Sequence, residues 1–339
     1  MTRMSAAAAT LAVDIGGANT KATRLQGASL RTVSRPFEVW RDREALAAVL
    51  REVAAEAGEA AAVAITMTAE LSDAFRTKRE GVAFVLAAAE EALGDRPLSV
   101  LTTTGELVSM GEARARPWDV AAANWMATAL AVADAYADAL LIDIGSTTTD
   151  IVPIAAGRVA ASGHNDLERL QAGELVYTGV LRTNLAAIAP RVPVRGAWCP
   201  VSSEYFAISA DVHLVLGHLA PEAYDCPTPD GRAATVPFAR ERIARLVCAD
   251  VDQLAADEID AIATFLHGAQ LRQIEQAARR VQRALPPEAP VVAVGSGAFL
   301  GREVAARLER AAAAGPWGGE LGPAAALAAL LAARLRVPC

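Results

Sequence analysis

The sequence predicts an α/β protein of two domains, each built around a sheet that opens with the same turn. Three observations carry that prediction. The run Leu11-Ala12-Val13-Asp14-Ile15-Gly16-Gly17-Ala18-Asn19-Thr20-Lys21 recurs without gaps as Leu140-Leu141-Ile142-Asp143-Ile144-Gly145-Ser146-Thr147-Thr148-Thr149-Asp150. A late apolar strand, Val291 to Val294, enters Gly295-Ser296-Gly297 and then a helix. Finally, 339 residues, 53% of them hydrophobic, are enough for two separate cores. The expected boundaries are 1–138 for the first domain and 139–320 for the second, with a C-terminal helix (about 321–339) returning to the first and a ligand cleft between the two.

Each copy of the repeat reads as a β-hairpin: a strand delivers an acid, a tight turn uses glycine dihedrals, and a hydroxyl-rich segment leads back into a strand. Backbone N–H groups and short hydroxyls converging on such a turn form a nest for phosphate. A carboxylate at the end of the first strand would repel phosphate directly, so its natural task is to hold Mg²⁺ beside it. On this reading Asp14 and Asp143 are metal ligands, while Gly16, Gly17, Asn19, Thr20, Gly145, Ser146, Thr147 and Thr148 bind phosphate. Two such loops facing each other would grip a di- or triphosphate. One D-x-G turn is an ordinary strand end, whereas two in register carry far more weight.

The net charge of −7 argues against a nucleic-acid partner, because a phosphate backbone selects clustered Lys and Arg. The four cysteines are widely spaced without a C-x-x-C pair and read as reduced cytosolic thiols. Met1 to Thr10 superficially resembles a secretion signal, but its apolar stretch is short and runs straight into the first loop. No segment reaches the ~20 apolar residues that span a bilayer. The expectation is a cytoplasmic protein acting on small molecules, without membrane or nucleic-acid partners; a homodimer is compatible with a sequence that does not fix oligomeric state.

Between the loops, Arg43 to Ala57 carries Leu46, Val49, Leu50 and Val53 at helical spacing, and Ala61 to Thr68 reads as a strand. The polar segment Thr68 to Val82 follows that strand, where α/β proteins place ligand contacts. There Lys78 and Arg79 could meet anionic groups, and Glu70 and Asp73 a cation; a solvated helix with an Arg76–Glu80 pair is the plainer reading. Trp125, inside an alanine-rich helix, reads as core. Beyond the second loop, His164 and Glu174 sit in a polar stretch rich in groups able to move protons. Val192 to Val201 reads as one edge strand, confined there by Pro193 and Pro200. Asp211 interrupts an apolar helical run and needs a partner, either in a hydrogen-bond network or at the site. Tyr224 to Pro237 reads as an excursion, helices dominate from Arg240 to Leu285, and Gly295-Ser296-Gly297 is a third candidate anion or nucleotide site.

Two aspartate–glycine loops about 130 residues apart, then a late Val-Gly-Ser-Gly turn, resemble the acetate/sugar kinase, Hsc70 and actin superfamily. Leu141 to Asp150 resembles its hydantoinase/oxoprolinase branch. Three segments together are similar to the tetrahydromethanopterin-linked one-carbon transfer pathway proteins: Asp14 to Lys21; Met67 to Asp73 with Lys78 to Gly81; and Ser203 to Phe206 with Ala210 to His213. The resemblance spans nearly the whole chain. It implies a two-domain actin/Hsc70/sugar-kinase-like (ribonuclease-H-like) fold. It also implies a transferase of methanofuran or methylofuran biosynthesis, joining an aminomethylfuran-methyl diphosphate to the phenol oxygen of a tyramine- or tyrosine-type acceptor and releasing diphosphate. Ala74 departs from the family, where cysteine is frequent, so a thiol there is not essential in this chain.

Such a reaction asks a protein to stabilise departing diphosphate and to exclude water. The resemblance would make Lys21 the residue that neutralises the leaving group, Asp14 and Asp143 the Mg²⁺ ligands, and Lys78 and Arg79 the contacts to substrate carboxylate or diphosphate. Glu204 and Asp211 enter as substrate contacts. A phenol of unperturbed pKa about 10 calls for a base, for which Asp150 stands first and His164 and Glu174 behind it. A rival reading is an ATP-dependent small-molecule kinase or hydantoinase-like ATPase with Gly295-Ser296-Gly297 under an adenosine. Another is a non-enzymatic assembly protein of actin type. Phosphate loops do not declare what the phosphate carries, so ATP use stays open.

Overall fold

The computed structural model describes residues 8–316 and 322–336. Of the signal-like start, Met1 to Ala7 lie outside the described residues. The chain forms two compact units, one from residues 1–137, 154–169 and 316–339, the other from 138–153 and 170–315.

The first unit holds a six-stranded sheet in the order β3-β2-β1-β4-β5-β6, formed by β1 (Thr10–Ile15), β2 (Asn19–Gln26), β3 (Ser29–Pro36), β4 (Ala62–Met67), β5 (Leu98–Leu101) and β6 (Leu107–Ser109). Strands β1 to β3 are an antiparallel meander, β4 lies parallel to β1, and β5 parallel to β4. The central strands β1 and β4 are apolar almost throughout because both of their faces are covered, whereas the edge strand β3 is mostly exposed and polar. Helix α1 (Leu46–Ala57) turns the stripe Leu46, Leu50, Val53 and Ala57 inward, and α2 (Lys78–Leu93) does the same with Val82, Val85, Leu86, Ala89 and Leu93. After α3 (Met110–Ala115) and α4 (Pro117–Val120) comes α5 (Asn124–Ala135), which buries Trp125. The C-terminal helix Pro323–Arg336 packs on β1, β2, β4 and α5.

The second unit repeats the plan. Its sheet runs β10-β8-β7-β13-β14, built from β7 (Ala139–Ile144), β8 (Thr149–Ala155), β10 (Leu175–Val176), β13 (Val291–Val294) and β14 (Ala312–Ala313); the last two residues of β8 pair with β9 (Arg158–Val159) within the first unit's segment 154–169. Here β13 is parallel to β7 and to β14. Both sheets thus place a hairpin strand first, then two parallel strands on its far side, which is the ribonuclease-H-like order of the predicted fold class. The remaining helices are α6 (Asp166–Ala172), α7 (Leu185–Ile188), α8 (Ser209–Val215), α9 (Val236–Arg245), the long α10 (Ala256–Val281) and α11 (Ala298–Arg307). Ile259, Ile262, Ala263 and Leu266 of α10 form a core with Leu185, Val212, Ile243 and Leu246.

The segment read as one edge strand, Val192 to Val201, is two: β11 (Arg191–Val194) and β12 (Ala197–Pro200) pair antiparallel about a turn at Arg195 and Gly196. Both turn residues take positive φ, 49° and 79°, as a two-residue hairpin requires. Arginine gave no hint of that conformation, which asparagine or aspartate would have signalled.

Candidate active-site residues

In the first loop, the Gly16 N–H donates to the Asn19 carbonyl at 3.0 Å, and the carbonyls of Gly17 and Ala18 accept from Val39 and Phe37 at 2.9 Å each. Asp14 lies in register between Lys21 on β2 and Thr66 on β4. Thr66 Oγ1, on the residue paired with Asp14, makes no protein hydrogen bond, and the buried oxygens Asn19 Oδ1 and Thr20 Oγ1 of the same hairpin make none either. Buried polar atoms are rarely left this way, and a carboxylate beside such oxygens is a hard-donor set that suits Mg²⁺ or the water around it. Lys21 is exposed on the hairpin.

Three residues past β4 is Glu70, only 1% exposed, with its carboxylate close to the backbone N–H groups of Glu70 and Ala122. It is pressed there by α2, since a Cβ on Gly81 would meet the Glu70 Cα at 2.7 Å. Loss of water pushes its pKa up to about 7, an effect that those N–H groups and Lys78 oppose and Asp166 reinforces. Lys78 and Arg79 occupy the first turn of α2, where the helix dipole disfavours cations. Lys78 Nζ meets Asp166 Oδ2 at 2.5 Å, and Arg79 lies 5.7 Å over the Trp118 ring. The first unit therefore gathers Asp14, Thr66, Glu70 and Lys78 at or beyond the carboxyl ends of β1 and β4. Sequence reading offered Glu70 as a cation ligand; its burial and its shifted proton affinity depend on the distant packing of α2.

In the second loop, the Gly145 N–H donates to Thr148 O at 2.9 Å, reproducing the Gly16 bond. The Gly145 carbonyl accepts from Val180, and the Ser146 carbonyl from Leu181 and Arg182. A Cβ on Gly179 would sit 2.5 Å from Thr147 N and 2.6 Å from Ser146 O, so only glycine lets this segment support the loop. Ser146 and Thr147 hydroxyls lie 3.4 Å apart. Asp143 is 7% exposed at the end of β7. The Gly295-Ser296-Gly297 turn closes on the same strand end: Gly297 N–H donates to Ile144 O at 2.9 Å, and a Cβ on Gly295, whose φ is +82°, would lie 2.6 Å from Asp143 Oδ1. Asp150 and Glu174 adjoin here, Asp150 paired with Leu175 and the Glu174 carbonyl accepting from Ile151 at 2.8 Å.

The other candidates fall elsewhere. His164 belongs to the first unit, where its N–H donates to Glu168 Oε2 at 2.8 Å and it lines a cavity of about 300 Å³ with Thr103, Trp125 and Asp134. Glu204 is exposed after β12. Asp211 is fully buried in a network: it accepts from Ile208 N–H at 3.0 Å, Tyr224 OH at 3.1 Å and Arg242 Nε at 2.8 Å. Of the two alternatives the sequence left open for Asp211, the structure displays the hydrogen-bond network.

A chain with two glycine-turn hairpins of this kind belongs, by class, to the hydantoinase/oxoprolinase family, whose model matches residues 61–336. Within it, the chain is 38% identical over 267 residues, 78% of its length and 79% of the relative's, to the (4-{4-[2-(gamma-L-glutamylamino)ethyl]phenoxymethyl}furan-2-yl)methanamine synthase of Methanocaldococcus jannaschii. A synthase of the same name from Methanococcus vannielii is 46% identical over 119 residues, covering 35% of this chain and 53% of that protein. Among solved structures, nucleotide-free acetone carboxylase superposes with a TM-score of 0.54 at 10% identity, over 89% of this chain and 67% of its own, a likeness of fold alone.

Proposed function

We propose that this chain is a transferase of methanofuran biosynthesis that condenses an aminomethylfuran-methyl diphosphate with the phenol oxygen of a tyramine- or tyrosine-type acceptor. What carries the reading is the 38% identity, across most of both chains, to a synthase whose named product contains that phenoxymethyl-furan ether. In the reaction the phenol oxygen forms a bond to the furanylmethyl carbon, the carbon–oxygen bond to diphosphate breaks, and diphosphate leaves with the bonding electrons. The furan ring spreads positive charge developing at that carbon, so the residues chiefly have to receive an anion.

Each glycine loop is suited to hold an anion by itself: Gly16, Gly17, Asn19 and Thr20 in the first unit, Gly145, Ser146, Thr147 and Thr148 in the second. Lys21 and Arg79 add positive charge, and Lys78 adds it when released from Asp166. Asp14 and Asp143 are the carboxylates that would hold Mg²⁺, whose charge offsets that of diphosphate. Glu70 accepts the phenol proton, because a pKa near 7 leaves it both available as a base and able to pass the proton on. Asp150 is the rival base, with His164 and Glu174 after it.

The test is to supply purified protein with Mg²⁺, the furanylmethyl diphosphate and glutamyl-tyramine, tyramine or tyrosine in turn, following diphosphate and the ether by mass spectrometry. Stoichiometric ether and diphosphate without ATP are expected. A strict requirement for ATP, with release of ADP, would refute the reading in favour of the kinase or ATPase alternative.

A further inference from the structure

Three of the four histidines of the chain lie together in the second unit, apart from the glycine loops. His213 is on α8, His218 follows its C-terminal turn, and His267 is on α10; each offers one nitrogen such that all three lie within 4.8 Å of one another. The approach is built by the backbone. Gly217 takes φ +71°, which turns the chain back so that the N–H groups of His218 and Leu219 both donate to the His213 carbonyl, at 2.8 and 3.1 Å.

The rings are also held from behind. Gln270 donates its amide N–H groups to Thr178 Oγ1 and to the Gly179 carbonyl, which fixes its Oε1 toward His213 Nε2 at 3.0 Å. An amide oxygen only accepts, so His213 Nε2 carries the proton and Nδ1 carries the lone pair. His213 is fully buried and its Nδ1 has no hydrogen-bond partner. His267 repeats the arrangement: Nε2 lies 3.1 Å from Glu303 Oε2 and its Nδ1 is unpartnered. A histidine that donates from one ring nitrogen to a fixed oxygen and keeps a lone pair on the other is prepared as a metal ligand.

We propose that His213, His218 and His267 bind a zinc-type divalent transition ion, with Gln270 and Glu303 orienting two of the rings and a fourth position left to water or a small ligand. Three imidazoles suit Zn²⁺ rather than Mg²⁺, which takes oxygen donors. Zinc–nitrogen bonds of about 2.1 Å place tetrahedral ligands about 3.4 Å apart, so the nitrogens need close by no more than about 1.4 Å. The ion would tie the turn after α8 to α10 and, through Glu303, to α11, the helix that begins just after Gly297.

The full chain, stripped by a chelator, is titrated with Zn²⁺ against a competing chromophoric chelator and, separately, with Co²⁺ while its visible absorption is followed. One Zn²⁺ per chain is expected, with a Co²⁺ spectrum of nitrogen ligation. His218→Ala alters an exposed residue, so the fold is retained, and should weaken Zn²⁺ binding at least about a hundredfold. Glu303→Gln should weaken it about tenfold or more. His164→Ala, which removes the fourth histidine, should bind as the wild type does. Saturating Zn²⁺ should raise the unfolding midpoint of the wild type but not of His218→Ala. Undiminished binding in His218→Ala, equal loss in His164→Ala, or no binding at micromolar Zn²⁺ would each overturn the assignment.

Discussion

Glu70→Gln separates the two consequences of burying a carboxyl away from water. In the unfolded chain Glu70 titrates at the ordinary 4.5, and in the folded protein at about 7. Between those values the folded state binds the extra proton, so stability falls as pH rises from about 4.5 to about 7 and then levels off. The shift amounts to about 3 kcal/mol above pH 7, of which about 2 kcal/mol accrues between pH 5.5 and 8. Glutamine keeps the shape and cannot ionise. Any fixed penalty from its amide is the same at every pH, so the quantity to compare is the change with pH. Urea unfolding of both proteins at pH 5.5 and pH 8 should show the variant gaining about 2 kcal/mol on the wild type across that interval. The same substitution should abolish most ether formation, and the wild-type rate should climb roughly tenfold between pH 6 and 8 as the base ionises. Parallel stability curves for the two proteins would refute the account of a desolvated carboxyl. A pH gain in stability with unimpaired catalysis would leave Glu70 buried but assign the proton to Asp150.

Asp143→Ala should cost more than about tenfold in kcat/KM and remove the Mg²⁺ dependence of diphosphate binding measured by calorimetry. Gly179→Ala places a methyl group against Thr147 N and Ser146 O, so it should destabilise by about 1–3 kcal/mol in urea unfolding and raise KM for the diphosphate substrate. Asp211→Ala takes from the buried Arg242 guanidinium one of its two carboxylate partners, leaving Asp230 at 3.1 Å, and should cost about 1.5–3 kcal/mol on the same assay, whereas an Asp211→Leu, Arg242→Met double variant should recover much of that loss.

The parts of the fold legible in the sequence are those fixed by neighbours along the chain. A hairpin around Gly16 or Gly145 needs its glycine, its acid and its apolar strands within about a dozen residues, and the repeat displays all of them. The strand into Gly295 was legible for the same reason. What stayed hidden depends on partners far away in sequence. Glu70 was visible as an acid after a strand, but its proton affinity comes from α2 closing over it through Gly81. His213, His218 and His267 show no ligand spacing, because packing of α8 on α10 rather than a helical period brings them together. His164 follows the second loop along the chain yet lies in the first unit with Trp125.

The C-terminal helix has a consequence for how the protein is made. Thr10 Oγ1 donates to the Ala328 carbonyl at 2.9 Å across 318 residues, and Leu327 is fully buried in the first unit. At about 5–20 residues per second, a ribosome delivers that helix some 15–60 s after β1 has emerged. Until then the first sheet has an uncovered apolar face, while residues 138–315, which hold the second unit together, are all available earlier. Folding during synthesis therefore runs against chain order, with the second unit able to close first. Truncation before Pro323 should leave the first unit aggregation-prone however complete its glycine loop.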